Sequence, residues 1–115
     1  MKRGDVYWAD LMPRSGSEQT GRRPVIVVSH DGFNQAPHWR SIVVVPISTS
    51  DSQARRSLTT PELPAGSASL RRTSVAVCHQ VTTLDRSKLS ERLGELSLDL
   101  MARVEEGLKA ALDLE

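Results

Sequence analysis

The stretch Arg23-Pro24-Val25-Ile26-Val27-Val28 sets the architecture of this 115-residue chain, because a polar loop ends here and a stiff apolar segment begins. Pro24 fixes its own φ angle and biases Arg23 toward an extended backbone. A proline at the first position of a strand does little harm to the hydrogen-bond ladder. The short apolar run that follows is typical of a buried strand. We therefore predict a strand over residues 25–29, with Arg23 held at its start.

Further β segments flank this strand on both sides. The strongest is Ser41–Ile47, in which Pro46 is expected to break the ladder near its end or to mark a bulge. The residue preferences predict additional strands over 5–11, near 57–62, over 74–78 and over 92–96, with a short turn opening at 83–85.

The C-terminal segment has the periodicity of an amphipathic helix. Ser97 suits the N-cap, and Asp99 suits the positive end of the helix dipole. Several short strands followed by one helix predict a mainly β fold with α, a small, curled antiparallel barrel forming a single domain over residues 1–115. Apolar residues at steps of three and four define the predicted buried face: Leu98, Met101, Val104, Leu108, Ala111 and Leu112.

Composition indicates a globular chain without a membrane span. Hydrophobic residues make up 38% of the chain and charged residues 25%. No apolar run approaches the ~20 residues of a membrane helix, and the N-terminus lacks the apolar stretch of a signal peptide. The single cysteine, Cys78, cannot form an internal disulfide, so the cytoplasm is the simplest location.

Positive charge is concentrated in the first part of the chain. Residues 1–79 carry ten Lys/Arg against six Asp/Glu, whereas residues 80–115 carry five against eight. Arginine pairs recur at Arg22-Arg23, Arg55-Arg56 and Arg71-Arg72. Such pairs can line a nucleic-acid groove, although solvated surface loops explain them equally well.

The usual signatures of cofactor and metal sites are missing from the sequence. It has neither a Gly-x-x-x-x-Gly-Lys phosphate loop nor a Gly-x-Gly-x-x-Gly fingerprint. Cys78 has no second cysteine for a zinc site, and His30, His38 and His79 show no recognised ligand spacing. We therefore expect no cofactor and no metal. Cys78 itself is predicted to be a small buried hydrophobe.

Residues suited to phosphate chemistry lie in the first loop and after the strongest strand: Glu18, Arg22, Arg23, Ser48 and Thr49. Arginine presents a planar fork of donors for two phosphate oxygens, and a nearby hydroxyl or carboxylate can move a proton. This set suits cleavage of RNA by its own 2′-hydroxyl, which needs in-line positioning and charge stabilisation. Ordinary turn hydrogen bonds are the alternative for the two hydroxyls.

Five ordered stretches resemble the MazF/PemK toxin family: residues 3–11, 16–19, 23–29, 45–49 and 79–85. The likeness covers nearly the whole chain. It implies a small SH3-like barrel of the CcdB/MazF type with a C-terminal helix. It also implies a metal-independent endoribonuclease toxin that cuts single-stranded RNA, leaving a 2′,3′-cyclic phosphate or 3′-phosphate and a 5′-hydroxyl.

The resemblance further implies partners and site residues. Family members act as homodimers, and a MazE-like antitoxin blocks the RNA groove with a disordered tail. The catalytic arginine falls on Arg23, whose implied role is proton donation or charge stabilisation at the scissile phosphate; charge stabilisation is favoured because arginine is a poor acid. The catalytic hydroxyl falls on Ser48, where the family usually has Thr; Thr49 is an alternative that strand alternation points elsewhere. The implied substrate-binding residues are Ser17, Glu18, Thr49 and Gln80.

Two other functions fit the same barrel. A CcdB-like gyrase-binding toxin without nuclease activity is one, because fold alone does not determine function. An inactive barrel that binds RNA or an antitoxin is another, and Ser in place of Thr at position 48 favours it slightly. The combination of Glu18, Arg23-Pro24 and Ser48 favours the nuclease.

Overall fold

The computed structural model describes residues 1–11, 21–49 and 57–115. Within these ranges the chain forms strands, two α-helices and short 3-10 turns. No helix in this part of the chain is both long and apolar enough to cross a membrane. The elements are β1 (Asp5–Asp10), β2 (Arg22–Val27), α1 (Asp31–Asn34), β3 (Ser41–Ser48), β4 (Glu62–Leu63), β5 (Ser74–Ala76), β6 (Thr82–Asp85), β7 (Leu89–Glu95) and α2 (Leu98–Leu112).

The strands form one curled antiparallel sheet in the order β4-β5-β3-β2-β1-β7, with β6 also paired to β3. β3 organises this sheet because it changes partner along one edge. Its residues Ser41–Val44 pair with β6, and Ile47 and Ser48 pair with β5. The result is a half-barrel followed by a C-terminal helix, which confirms the predicted fold class.

Pro46 lies within β3 near its end, and the ladder on one edge of the strand is interrupted there, as expected. It pairs with Val25 of β2 and lies between the β6-paired and β5-paired parts of β3. Its carbonyl accepts a hydrogen bond from the Val77 N–H at 2.9 Å on the β5 edge. The N–H and C=O groups of one strand residue face the same edge of the strand. Proline has no N–H, so β3 lacks a hydrogen-bond donor at the point where its partner on that edge changes from β6 to β5.

Two predictions for the β elements were wrong. β2 starts at Arg22 rather than at Val25, because Arg22 and Arg23 already pair with Asp10 and Ala9 of β1. Residues 82–85 form β6 rather than opening a turn. Their partner is the first half of β3, a contact distant in sequence that local residue preferences cannot reveal.

α2 begins as predicted. The Ser97 hydroxyl accepts a hydrogen bond from the Leu100 N–H at 3.2 Å, and Met101 and Val104 are buried against the sheet. Leu98, however, is 89% exposed. It is the first residue of the helix and lies outside the packed face. Leu112, in the last turn, is also exposed, so the buried face is shorter than the periodicity suggests.

Cys78 is a buried packing residue, as predicted, although it lies in a 3-10 turn rather than in a strand. Burial raises the pKa of its thiol to about 12. Gly107 of α2 packs against it so closely that a Cβ at Gly107 would lie 2.7 Å from the Cys78 sulfur. The protonated thiol is therefore part of the contact between the helix and the sheet.

Arg86 fixes the loop that joins α1 to β3. Its guanidinium donates hydrogen bonds to the backbone carbonyls of Phe33, Asn34, Ala36 and Trp39 at 2.8–3.1 Å. We expect Arg86→Ala to lower the free energy of unfolding by about 2–4 kcal/mol, because four backbone acceptors, two of them in part-buried hydrogen bonds, lose one charged donor. Urea denaturation measures this change.

The matched control for Arg86 is Arg40→Ala, on the same loop. Arg40 forms an exposed ion pair with Asp85 at 2.9 Å, and exposed pairs contribute little to stability. A loss of stability in Arg86→Ala no larger than that in Arg40→Ala contradicts the proposed role of Arg86.

Candidate active site

A cleft of about 600 Å³ lies where β2 begins and β3 ends. Trp8, Pro24 and Ile47 line it from three neighbouring strands. Trp8 and Pro24 are partners across β1 and β2, and continuing the β2–β3 register places Pro24 opposite Ile47. The segment 69–72 before β5, together with Glu91 and Leu93 of β7, lines the remaining sides.

Arg23 is the second residue of β2, is half-buried and lines this cleft. It pairs with Ala9 of β1. On its other side, the register set by Val25 and Pro46 continues to Arg23 opposite Ser48. Extended in this way, the register places the two predicted catalytic residues opposite each other on adjacent strands. Directly opposed residues of an antiparallel pair project from the same face of the sheet.

Strand alternation separates the two candidate hydroxyls at the end of β3. Ser48 is 1% exposed, pairs with Val75 of β5 and is not among the residues lining the cleft. Thr49 is exposed and does line it, as does Ile47 on the other side of Ser48. Thr49 therefore lines the cleft, whereas Ser48 is buried and is not a lining residue.

The structure does not bring every predicted residue to this cleft. Gln80 is half-buried in the 3-10 turn Cys78–Gln80, and it is not a lining residue. Ser17 and Glu18 lie outside the described residues, as does the pair Arg55-Arg56.

Arg22 is a cleft residue to which sequence reasoning gave no separate role. Its guanidinium carbon lies 4.5 Å from the centroid of the Trp8 ring, which is a cation–π contact. It also lies 3.9 Å from the Glu91 carboxylate. Arg22 and Pro24 share one face of β2 because they are two residues apart, and β1 presents Trp8 to that face. Only the strand register could have revealed this contact.

The lining charges make the cleft strongly basic. Four arginines line it, and Glu91 is the one acidic residue among the described residues that do so. Arg71 and Arg72, a pair noted in the sequence, thus meet Arg22 and Arg23 in one cavity. Such a cavity attracts anions, and guanidinium forks match the geometry of phosphate oxygens.

Exposed aromatic rings occur elsewhere on the surface. Phe33 and Trp39 stack on each other with ring centroids 4.7 Å apart, and both are exposed. Phe33 lies in α1 and Trp39 in the loop after it, between β2 and β3 and at the opposite end of these strands from the cleft. Among residues 1–11, 21–49 and 57–115, no three or more His, Cys, Asp or Glu side chains are grouped as metal ligands.

Comparison with known proteins identifies the family. Residues 2–112 match the family described as PemK-like, MazF-like toxin of type II toxin-antitoxin system. The chain belongs to this family. It is 36% identical over 114 residues to "Endoribonuclease MazF2" of Mycobacterium bovis, covering 99% of this chain and 98% of that protein. It is equally identical over 114 residues to "Endoribonuclease EndoA" of Bacillus subtilis, covering 99% and 96%.

Solved structures of MazF proteins share the fold. MazF of Deinococcus radiodurans superposes with a TM-score of 0.81 at 28% identity, covering 99% of this chain and 97% of that one. A mycobacterial endoribonuclease in complex with its cognate antitoxin gives a TM-score of 0.80 at 25% identity, covering 100% and 97%. The resemblance inferred from the sequence is confirmed, and this chain is a MazF-family toxin.

Proposed function

We propose that this MazF-family chain is a sequence-selective endoribonuclease that cuts single-stranded RNA without a metal ion. The observation that carries the proposal is the cleft lined by Arg22, Arg23, Arg71 and Arg72. The family and the names of the relatives, which are endoribonucleases, support the same reaction.

The reaction requires no nucleophile from the protein. The RNA 2′-hydroxyl attacks the adjacent phosphorus, the bond to the 5′-oxygen breaks, and the proton lost by the 2′-hydroxyl is balanced by one gained at the leaving oxygen. The products are a 2′,3′-cyclic phosphate, which can open to a 3′-phosphate, and a 5′-hydroxyl. Arg23 stabilises the charge on the phosphoryl oxygens by donating bidentate hydrogen bonds to them. The Ser48 hydroxyl assists proton transfer.

The remaining residues and partners belong to the same proposal. Thr49, Ser17, Glu18 and Gln80 are substrate-binding residues. The protein acts as one domain over residues 1–115, as a homodimer in the cytoplasm, where cleavage of mRNA inhibits translation and growth. A MazE-like antitoxin restrains it, and solved MazF structures that contain an antitoxin support this pairing.

The decisive test is cleavage of a long RNA by the purified protein in excess EDTA. We expect reproducible cuts at one short sequence, with a rate unaffected by the chelator because Arg23 supplies the charge stabilisation. Mapping the 5′ ends gives the sequence, and their direct phosphorylation by a kinase shows 5′-hydroxyls. An intact RNA together with gyrase-dependent DNA breaks would instead assign a CcdB-like function.

A further inference from the structure

Arg71 and Arg72 are held at the cleft by a well-anchored segment between the turn Ser67–Ser69 and β5. Leu70, directly before them, is buried, and its carbonyl accepts a backbone hydrogen bond at 2.7 Å. Directly after them, the Ser74 hydroxyl donates to the Arg72 carbonyl at 2.9 Å. Both side chains are exposed and line the cleft. The hydrogen bonds therefore hold the backbone that carries two exposed arginine side chains at the cleft.

The charges of these two arginines are not neutralised within the described part of the chain, where neither forms an ion pair. Four other arginines do pair with carboxylates, at 2.6–3.9 Å. The acidic residue of the cleft, Glu91, is the partner of Arg22. An uncompensated arginine pair in a concave site favours an anionic ligand, and its planar forks favour phosphate.

We propose that Arg71 and Arg72 form a second phosphate subsite, which binds the backbone of single-stranded RNA away from the phosphate that is cut. This inference rests on the proposed RNA cleavage. β3 lies between β2, which carries Arg23, and β5, which follows Arg72. Two strand spacings amount to about 10 Å along the sheet, and the proposal therefore assigns the two arginine pairs to different phosphates. The face formed by Trp8 and Arg22 offers a stacking surface for a base in the same cleft.

This assignment predicts a binding effect without a catalytic effect. Contacts to a phosphate remote from the reaction stabilise the bound substrate and the transition state equally, so their loss raises KM and leaves kcat unchanged. We expect Arg71→Ala/Arg72→Ala to raise KM about 10- to 100-fold at moderate salt. The slope of log affinity against log salt should become shallower by about 1.4, or about 0.7 for each lost contact to a single strand.

The test uses the full chain and a short oligoribonucleotide that contains the mapped cleavage site. Values of kcat and KM are measured at several salt concentrations for the wild type and for Arg71→Ala/Arg72→Ala. Binding is measured separately by fluorescence anisotropy, with a 2′-deoxy nucleotide at the cleavage position to prevent cutting. The control is Arg103→Ala, because Arg103 is also exposed and without an ion pair in the described ranges but lines a different groove, beside Glu106.

The possible outcomes separate the subsite from the proposed function. Weaker binding and a shallower salt slope in the double variant, with the control unchanged, support the subsite. Unchanged KM, binding and slope in a folded double variant overturn it, even if the wild type cleaves RNA normally. A fall in kcat at constant KM also overturns it. A wild type that binds the oligonucleotide through these arginines but cuts nothing contradicts only the proposed function.

Discussion

Arg23→Ala is expected to lower the turnover of RNA cleavage by at least about 100-fold, because one charged donor to the developing phosphoryl charge is lost. The backbone of Arg23 keeps its place in β2, where it pairs with Ala9, and Pro24 still starts the apolar strand. The variant should therefore fold normally. The loss should appear in kcat at saturating RNA, since the interaction strengthens in the transition state.

The variant Arg23→Lys tests whether positive charge alone is sufficient at this position. Lysine retains the positive charge but not the planar fork that holds two phosphate oxygens. We therefore expect an activity between those of the wild type and Arg23→Ala, and Arg103→Ala serves as the unchanged control. The measurement is the single-turnover rate with a short oligoribonucleotide, after circular dichroism has shown that each variant is folded. Full activity in folded Arg23→Ala would remove this residue from the mechanism.

The sequence predicted those parts of the fold that local chemistry determines. Pro24 and the apolar run after it indicated a strand, and Ser97 indicated the start of α2; both expectations are met. The errors have non-local causes. Residues 82–85 become a strand because β3 offers an edge to them, and Leu98 is exposed because helical periodicity does not show where the packed face begins.

The residue types of the cleft could be recognised from the sequence, but their assembly into one site could not. Arg22-Arg23 and Arg71-Arg72 were recognisable as basic pairs, but nothing in the sequence showed that they meet in one cavity. The two pairs line one cavity because β5, which follows Arg72, pairs with the last residues of β3. The contact between Trp8 and Arg22 likewise depends on the β1–β2 register. Residue types were thus predictable, whereas their assembly required the sheet topology.

Ser48→Ala and Thr49→Ala should have unequal effects, although the two residues are neighbours. Ser48 is buried, and continuing the β2–β3 register places it opposite Arg23, so we expect its hydroxyl to act together with the proposed catalytic arginine. We expect Ser48→Ala to lower kcat by about 10²–10⁴-fold, the range for loss of a group that assists proton transfer. Alanine is slightly smaller than serine, so the packing against Val75 of β5 should survive.

Thr49 is exposed in the cleft and is expected to contact RNA rather than to assist proton transfer. Thr49→Ala should therefore raise KM several-fold and leave kcat nearly unchanged. Single-turnover rates over a range of RNA concentrations separate the two parameters for both variants. Because alternation sends the Ser48 and Thr49 side chains to opposite faces of β3, one hydroxyl cannot simply replace the other. A large loss of kcat in Thr49→Ala, with Ser48→Ala still active, would instead assign the catalytic hydroxyl to Thr49.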